Sequence, residues 1–253
     1  MDKDVISEIK KKREFSGLPD SIIERVAGIV SEDVKESRAL LRKYFGVFLT
    51  NKVLKAKGSP EDILKTHMSS KKRDYEEFYR EIFSGLGKIG SVIDLGAGAN
   101  GFSYGYLKKR LGNINYLAVE AAGQLVNNMN RCFKDRGFEN AHASREDLFE
   151  IKKIVKLLKG FENAKPRIVF MFQVVDALEN LEKDFSKKFI LEIFKECEKI
   201  VLTLPTESLG GRKKFVVQRN WIIDFLGENF VIEKDLKMNG ERVIIIGKRQ
   251  MIK

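Results

Sequence analysis

Along the first 85 residues, apolar positions recur every three to four places, the period of helices that bury one stripe. The pattern predicts helices over 6–15, 21–30, 34–57, 60–67 and 72–83. Ser59-Pro60-Glu61-Asp62 reads as a helix start. The serine caps, the proline loses no hydrogen bond in the first turn, and the acids face the positive end of the helix dipole. Gly58 ends the helix before it. The run Gly85-Leu86-Gly87-Lys88-Ile89-Gly90 then breaks the period, and the boundary between two units is placed there, 1–85 and 86–253.

Beyond the break the period alternates. Strands are expected at 91–95, 116–119, near Ala141, 167–172, 200–204, 230–236 and 241–247, with helices at 101–111, 123–136, 148–159, 186–195 and 217–226. Strands separated by helices require right-handed crossovers and a mainly parallel sheet covered on both faces. The last two strands are joined by Met238-Asn239-Gly240, whose Asn-Gly step signals a hairpin. The expected class is therefore α/β, a small N-terminal helical domain followed by a Rossmann-like sheet. A parallel sheet closed by one antiparallel hairpin resembles the seven-stranded methyltransferase fold.

At 253 residues, 43% of them hydrophobic, the chain is long enough for one full α/β domain and a small accessory unit. Its N-terminus mixes both charge signs, and its longest apolar runs, 168–172 and 243–246, fall far below bilayer length. A soluble, cytoplasmic monomer without a membrane partner is expected. Cys132 and Cys197 read as reduced thiols, and with His67 and His142 they offer no metal-ligand spacing, so no metal is expected. The formal charge of +11 fits a polyanionic partner such as nucleic acid, or equally a lysine-rich surface with no particular partner.

Candidate chemistry begins at Asp94-Leu95-Gly96-Ala97-Gly98-Ala99-Asn100-Gly101, a buried strand running into a glycine-rich turn and a helix. Gly96, Gly98 and Gly101 also satisfy the dinucleotide fingerprint, with Glu120 at the end of the next strand to bind ribose hydroxyls. Asp94 decides between cofactors: an acid two places before the first glycine repels a pyrophosphate. S-adenosylmethionine has no phosphate and carries a sulfonium and an ammonium, so it is the expected cofactor. At the third strand end, Asp147-Leu148 offers a carboxylate to the adenine amino group and an apolar wall, or Asp147 serves as a helix cap.

Three blocks then resemble one family, the small-subunit (16S) ribosomal RNA methyltransferases that act on a guanine N7 and confer aminoglycoside resistance. They are His67-Met68-Ser69-Ser70-Lys71-Lys72-Arg73, the loop from Asp94 to Gly98, and Leu204-Pro205-Thr206-Glu207-Ser208-Leu209-Gly210-Gly211-Arg212-Lys213-Lys214. The resemblance implies that Arg73 binds the methionine carboxylate of the cofactor, Gly96, Ala97 and Gly98 approach it through backbone, Glu120 with Ala121 holds the ribose, and Asp147 with Leu148 the adenine. Gln173 stands after the fourth strand where the family tends to have lysine, and is placed in the same site. Phe215 stands where a glycine is expected. The family's chemistry needs alignment of an available lone pair, so no general base is expected.

RNA contact is expected at two places. Between Lys35 and Lys57 lie seven basic residues against one acid, Glu36, with Arg38, Arg42 and Lys43 clustered and Tyr44, Phe45 and Phe48 interleaved. These cations either meet phosphates or form a solvated helix face. Ser208, Arg212, Lys213 and Lys214 follow the fifth strand, on the edge where open α/β sheets bind ligands. The functions weighed are an rRNA methyltransferase acting on ribosomal RNA or the small ribosomal subunit, a small-molecule methyltransferase with the N-terminal helices as a lid, and a non-catalytic ribosome-binding factor with a relic pocket.

Overall fold

The structure, a computed structural model, describes residues 3–45, 59–66, 70–161, 164–207 and 219–249. Among these, α1 (Lys3–Lys10), α2 (Asp20–Ile29), α3 (Val34–Phe45), α4 (Pro60–Thr66) and α5 (Tyr75–Phe83) come first. There follow β1 (Ser91–Leu95), a 3₁₀ turn (Gly98–Ser103), α6 (Tyr104–Leu111), β2 (Asn115–Glu120), α7 (Gly123–Asp135), β3 (Ala141–Arg145), α8 (Ile151–Gly160) and β4 (Arg167–Phe172). The chain continues with α9 (Val175–Leu181), α10 (Phe185–Phe194), β5 (Lys199–Pro205), α11 (Asn220–Asn229), β6 (Val231–Met238) and β7 (Glu241–Gly247).

The sheet has seven strands in the order β3-β2-β1-β4-β5-β7-β6, parallel from β3 to β5, with β7 inserted antiparallel between β5 and β6. Successive strands step outward to β3 on one side of β1, then return to β4 on the other. This reversal opens a crevice at the carboxyl ends of β1 and β4.

Why these residues make that sheet is clearest in β4, which is buried at every position because helices cover both faces. Its side chains alternate. Ile168, Phe170 and Phe172 join the core shared with α1–α7, while Val169 and Met171 join the core under α8–α11. On α5, Tyr75, Phe78, Tyr79, Ile82 and Phe83 fall on one buried stripe. Phe78 meets Phe172 edge-on at 5.4 Å and Tyr79 stacks on Phe170 at 6.2 Å between centroids. Asp74 caps this helix by accepting from the N–H groups of Glu76 and Glu77, each at 3.1 Å. The first core therefore runs from α1 through α5 to the sheet face without interruption.

Several boundaries differ from the periodic reading. The first helix stops at Lys10, where four cations in succession begin, and a turn from Phe15 N–H to Lys12 O (2.8 Å) brings Phe15 into the core. Of the helix expected over 34–57, the described part ends at Phe45. The helix expected from 148 starts at Ile151, because Asp147 turns the chain by accepting from the N–H of Phe149 on its side chain (2.9 Å) and of Glu150 on its carbonyl (3.0 Å). The last expected helix is shifted to Asn220–Asn229, and α9, seven residues long, was not anticipated.

Because the α5 stripe is shared between the N-terminal helices and the sheet, Ile82→Ala should cost about 2 to 5 kcal/mol. Urea unfolding followed by Trp221 fluorescence and by far-UV circular dichroism should keep one common midpoint, shifted downward. A separate early transition in the dichroism would show that the helices unfold apart from the sheet.

Candidate functional site

The loop after β1 lies at the crevice. Gly96 has φ of +71° and Gly98 of +51°, and a Cβ at Gly96 would come within 2.6 Å of Val174 Cγ2, so the chain passes where no side chain fits. The N–H groups of Gly96 and Ala97 bond the carbonyl of Val119 at 2.8 and 3.0 Å, tying the loop to the end of β2. One residue on, the Glu120 carboxylate accepts from Gly98 N–H and from Ala122 N–H, both at 2.9 Å. Burial pushes the Glu120 carboxyl above the usual range, against the pull of those backbone donors.

Asp94 lies beneath the loop, fully buried. Its Oδ2 accepts from Asn100 Nδ2 at 2.7 Å and from the Tyr116 hydroxyl at 2.8 Å; its Oδ1 is buried with no hydrogen-bond partner among the described residues. Burial pushes its carboxyl up to about 6, against the two hydrogen bonds. Asn100 connects this acid to Arg73, whose Nη1 donates to Asn100 Oδ1 at 3.0 Å. The same guanidinium bonds both oxygens of Glu241 at 2.9 Å and lies 4.9 Å from the ring centres of Phe78 and Phe172. Burial disfavours its charge, and the Glu241 carboxylate more than compensates, so Arg73 stays protonated.

A pocket opens beside this network. Of the residues expected at the site, Gly96, Glu120, Ala121, Asp147, Leu148 and Gln173 share its wall. Gln173 holds φ of +58° there, an unusual backbone region for a side chain of its size. Ala97 and Gly98 belong to the loop, and Asp94 and Arg73 to the network; these four do not line the pocket. Arg73 faces Glu241, a partner 168 positions away that no local motif announces. Residues missed from the sequence complete the wall: Phe149, Phe172 and Val174 from the sheet side, Ala177, Leu178 and Leu181 from α9, and Ile22, Tyr44 and Phe45 from α2 and α3. The apolar face of α2 was the one available signal for the latter.

Asp94, Glu120 and Asp147 are all buried, and none is ion-paired to a cation among the described residues. No basic side chain lines the pocket among those residues. Two carboxylates flanking apolar surface suit a nucleoside that donates hydroxyl and amino hydrogens, and the negative surplus suits a ligand with positive charge and excludes a phosphate. The orphaned Asp94 Oδ1 adds a further acceptor below the loop. The residues present therefore fit S-adenosylmethionine better than a dinucleotide.

Outside the pocket, Lys12, Lys35, Arg38 and Arg42 line an open groove along α3 together with the acids Glu32 and Asp33. Arg42 bonds Glu14 and Arg38 the carbonyl of Glu8, while Lys43 lies 5.3 Å from the centre of the Tyr44 ring. Ser208, Arg212, Lys213 and Lys214 lie outside the described residues. Cys132 and Cys197 are free thiols; among the described residues no cluster of metal-ligating side chains occurs and no helix is long and apolar enough to cross a membrane.

The raised Asp94 carboxyl has a measurable consequence. Its folded pKa of about 6 exceeds the 3.8 of a free aspartate side chain, so the folded chain binds this proton more tightly. The resulting stabilisation is complete below about pH 4 and is lost as pH rises through about 6. That difference corresponds to about 3 kcal/mol, and the wild type should lose about that much stability relative to Asp94→Asn between about pH 4 and about pH 7. Parallel denaturation curves over that range would show that the buried acid titrates as an ordinary one.

No protein-family model and no curated protein sequence matches the chain. Solved structures do. The 16S rRNA methyltransferase RmtF, in complex with S-adenosyl-L-homocysteine, superposes on 98% of this chain and 100% of its own with a TM-score of 0.75 at 17% identity. The 16S rRNA methylase ArmA covers 81% of this chain and 98% of its own, with a TM-score of 0.55 at 20% identity. A SAM-dependent methyltransferase from Aquifex aeolicus covers 68% and 87%, with a TM-score of 0.50 at 17% identity. Strand order, the antiparallel β7 and these superpositions agree: the chain has the Rossmann-like, seven-stranded fold of SAM-dependent methyltransferases.

Proposed function

We propose that this protein is an S-adenosylmethionine-dependent methyltransferase whose substrate is the RNA of the small ribosomal subunit and whose target is a guanine N7. The observation that carries the reading is the superposition on RmtF over 98% of this chain and 100% of its own, well beyond the sheet that methyltransferases of many kinds share. The cofactor, when bound, supplies a methyl group made electrophilic by its sulfonium.

In this reading Glu120 accepts from the ribose hydroxyls, Asp147 and Leu148 receive the adenine, and the backbone of Gly96, Ala97 and Gly98 lies alongside. Ala121 and Gln173 form the neighbouring wall. Buried unpaired carboxylates in a low-dielectric site favour a cationic ligand more strongly than they would in water. Guanine N7 carries an in-plane lone pair, so no proton has to leave the attacked atom, and the work of the protein is to hold two reactants in line. Arg38, Arg42 and Lys43 would meet phosphates on α3, and Ser208, Arg212, Lys213 and Lys214 are proposed as further RNA contacts.

Small subunits incubated with the purified protein and a labelled methyl donor should acquire label in 16S rRNA, and reductive strand cleavage should map it to one guanine. Label on a small molecule only, or none in RNA, would overturn the substrate. Replacing Arg38, Arg42 and Lys43 together by glutamine should weaken RNA binding and reduce the slope of log affinity against log salt by up to about three, leaving cofactor affinity intact. An unchanged salt series would make the stretch a solvated face.

Arg73 has N–H groups beyond the three that bond Glu241 and Asn100, and their proposed partner is the methionine carboxylate of the cofactor. Arg73→Ala should lower cofactor affinity about tenfold and, by stranding Glu241, lower stability by about 3 to 5 kcal/mol. Glu241→Gln should lower stability alone. Normal cofactor affinity in a folded Arg73→Ala variant would remove Arg73 from the binding site.

A further inference from the structure

The wall contributed by the N-terminal helices touches the pocket chemically at one point. Ser21, in the first turn of α2, donates its hydroxyl hydrogen to Asp147 Oδ2 at 2.7 Å, across 126 positions of chain. Asp147 is 3% exposed, and its other oxygen accepts from Phe149 N–H at 2.9 Å. With only that local bond, the carboxylate would be free to turn about its broad terminal torsion. Ser21 fixes the second oxygen. Each oxygen of an ionised carboxylate has two acceptor positions, so one remains on each for a ligand.

The contact is not an isolated surface touch. Ile22, next to Ser21, lines the pocket. Arg25, one turn along α2, lies 4.2 Å over the Phe149 ring and pairs with Glu182. From α3, the Tyr44 hydroxyl donates to the carbonyl of Asn180 at 3.2 Å. Helices α2 and α3 are thus clamped on the segment after β3, which carries Asp147 and Leu148, and on the end of α9, which also lines the pocket.

We infer that Ser21 is a positioning residue for the cofactor: it holds the Asp147 carboxylate so that a remaining acceptor position meets the exocyclic amino group of adenine, and α2 thereby completes the adenine end of the pocket. The inference rests on the cofactor reading given under the proposed function. It adds a residue, and a whole helix, from outside the sheet domain to the binding machinery.

Calorimetric titration of the full chain with S-adenosylhomocysteine, and with its 6-deamino analogue carrying purine in place of adenine, tests this. Ser21→Ala should bind S-adenosylhomocysteine about tenfold more weakly than the wild type. Ser21→Thr should restore the affinity. On the 6-deamino analogue the wild type and Ser21→Ala should be equal, because the group that Asp147 receives is missing. Unchanged or tighter binding of S-adenosylhomocysteine by Ser21→Ala would overturn the inference, the latter by making the hydroxyl a competitor. An equal loss on both ligands would also overturn it, reducing Ser21 to a residue that seats α2. If the wild type binds neither ligand, the cofactor reading itself fails, an outcome distinct from any effect of Ser21.

Discussion

A single buried cation sets the geometry around which the site is built. The Arg73 guanidinium lies between the faces of Phe78 and Phe172, and Glu241 at the start of β7 neutralises it through both oxygens. A guanidinium in such surroundings is tolerable only with a partner of matching shape, and the fork-to-carboxylate match is the most specific available. Through Nη1 the same guanidinium also donates to Asn100, and Asn100 holds Asp94 together with Tyr116. The segment before α5, β1 with its glycine loop, β2 and the closing hairpin therefore meet through five polar side chains. The positive φ values of Gly96 and Gly98 persist because both ends of the loop are fixed, one by this network and the other by Glu120.

The parts of this arrangement legible in the sequence are those whose cause is local. A strand buried on both faces, two glycines that permit a left-handed turn, and an Asn-Gly hairpin lie within a dozen residues of one another or announce themselves by period. The seven strands followed from that. Arg73 with Glu241, and Ser21 with Asp147, join positions 168 and 126 apart, and neither serine nor glutamate has a local pattern there. The same limit hid the pocket wall. Tyr44 and Phe45 have the helical spacing of core residues, and nothing near them in sequence says that the core they join borders a cavity. Helix α9 escaped because seven residues carry too few apolar positions to define a period.

Charge is divided by depth. The chain carries a formal +11, yet the acids Asp94, Glu120, Asp147 and Glu241 are buried around the site, and among the described residues only the last is ion-paired. Lysines stay outside, where water solvates them, and the interior keeps an excess of negative charge that burial alone would expel. Burial pushes the Asp94 and Glu120 carboxyls toward neutrality, so keeping them charged costs stability. A cationic ligand would recover part of that cost, so binding and folding should reinforce each other at this site.

Helix α3 bears on both sides of that division. Its twelve residues span about 18 Å, with Arg38 and Arg42 facing the open groove and Tyr44 and Phe45, in the last turn, lining the pocket. A helix of this length moves as one body when its ends are held by packed side chains. Whatever engages the cations and shifts α3 must therefore alter the pocket wall, and a ligand that fixes the wall must alter the groove. By linkage the two effects are equal in size, so if RNA binds the groove the cofactor should sense it by the factor with which the RNA senses the cofactor. The N-terminal helices then serve as surface and as wall at once, and this accounts for a core that runs from α1 to the sheet without a seam.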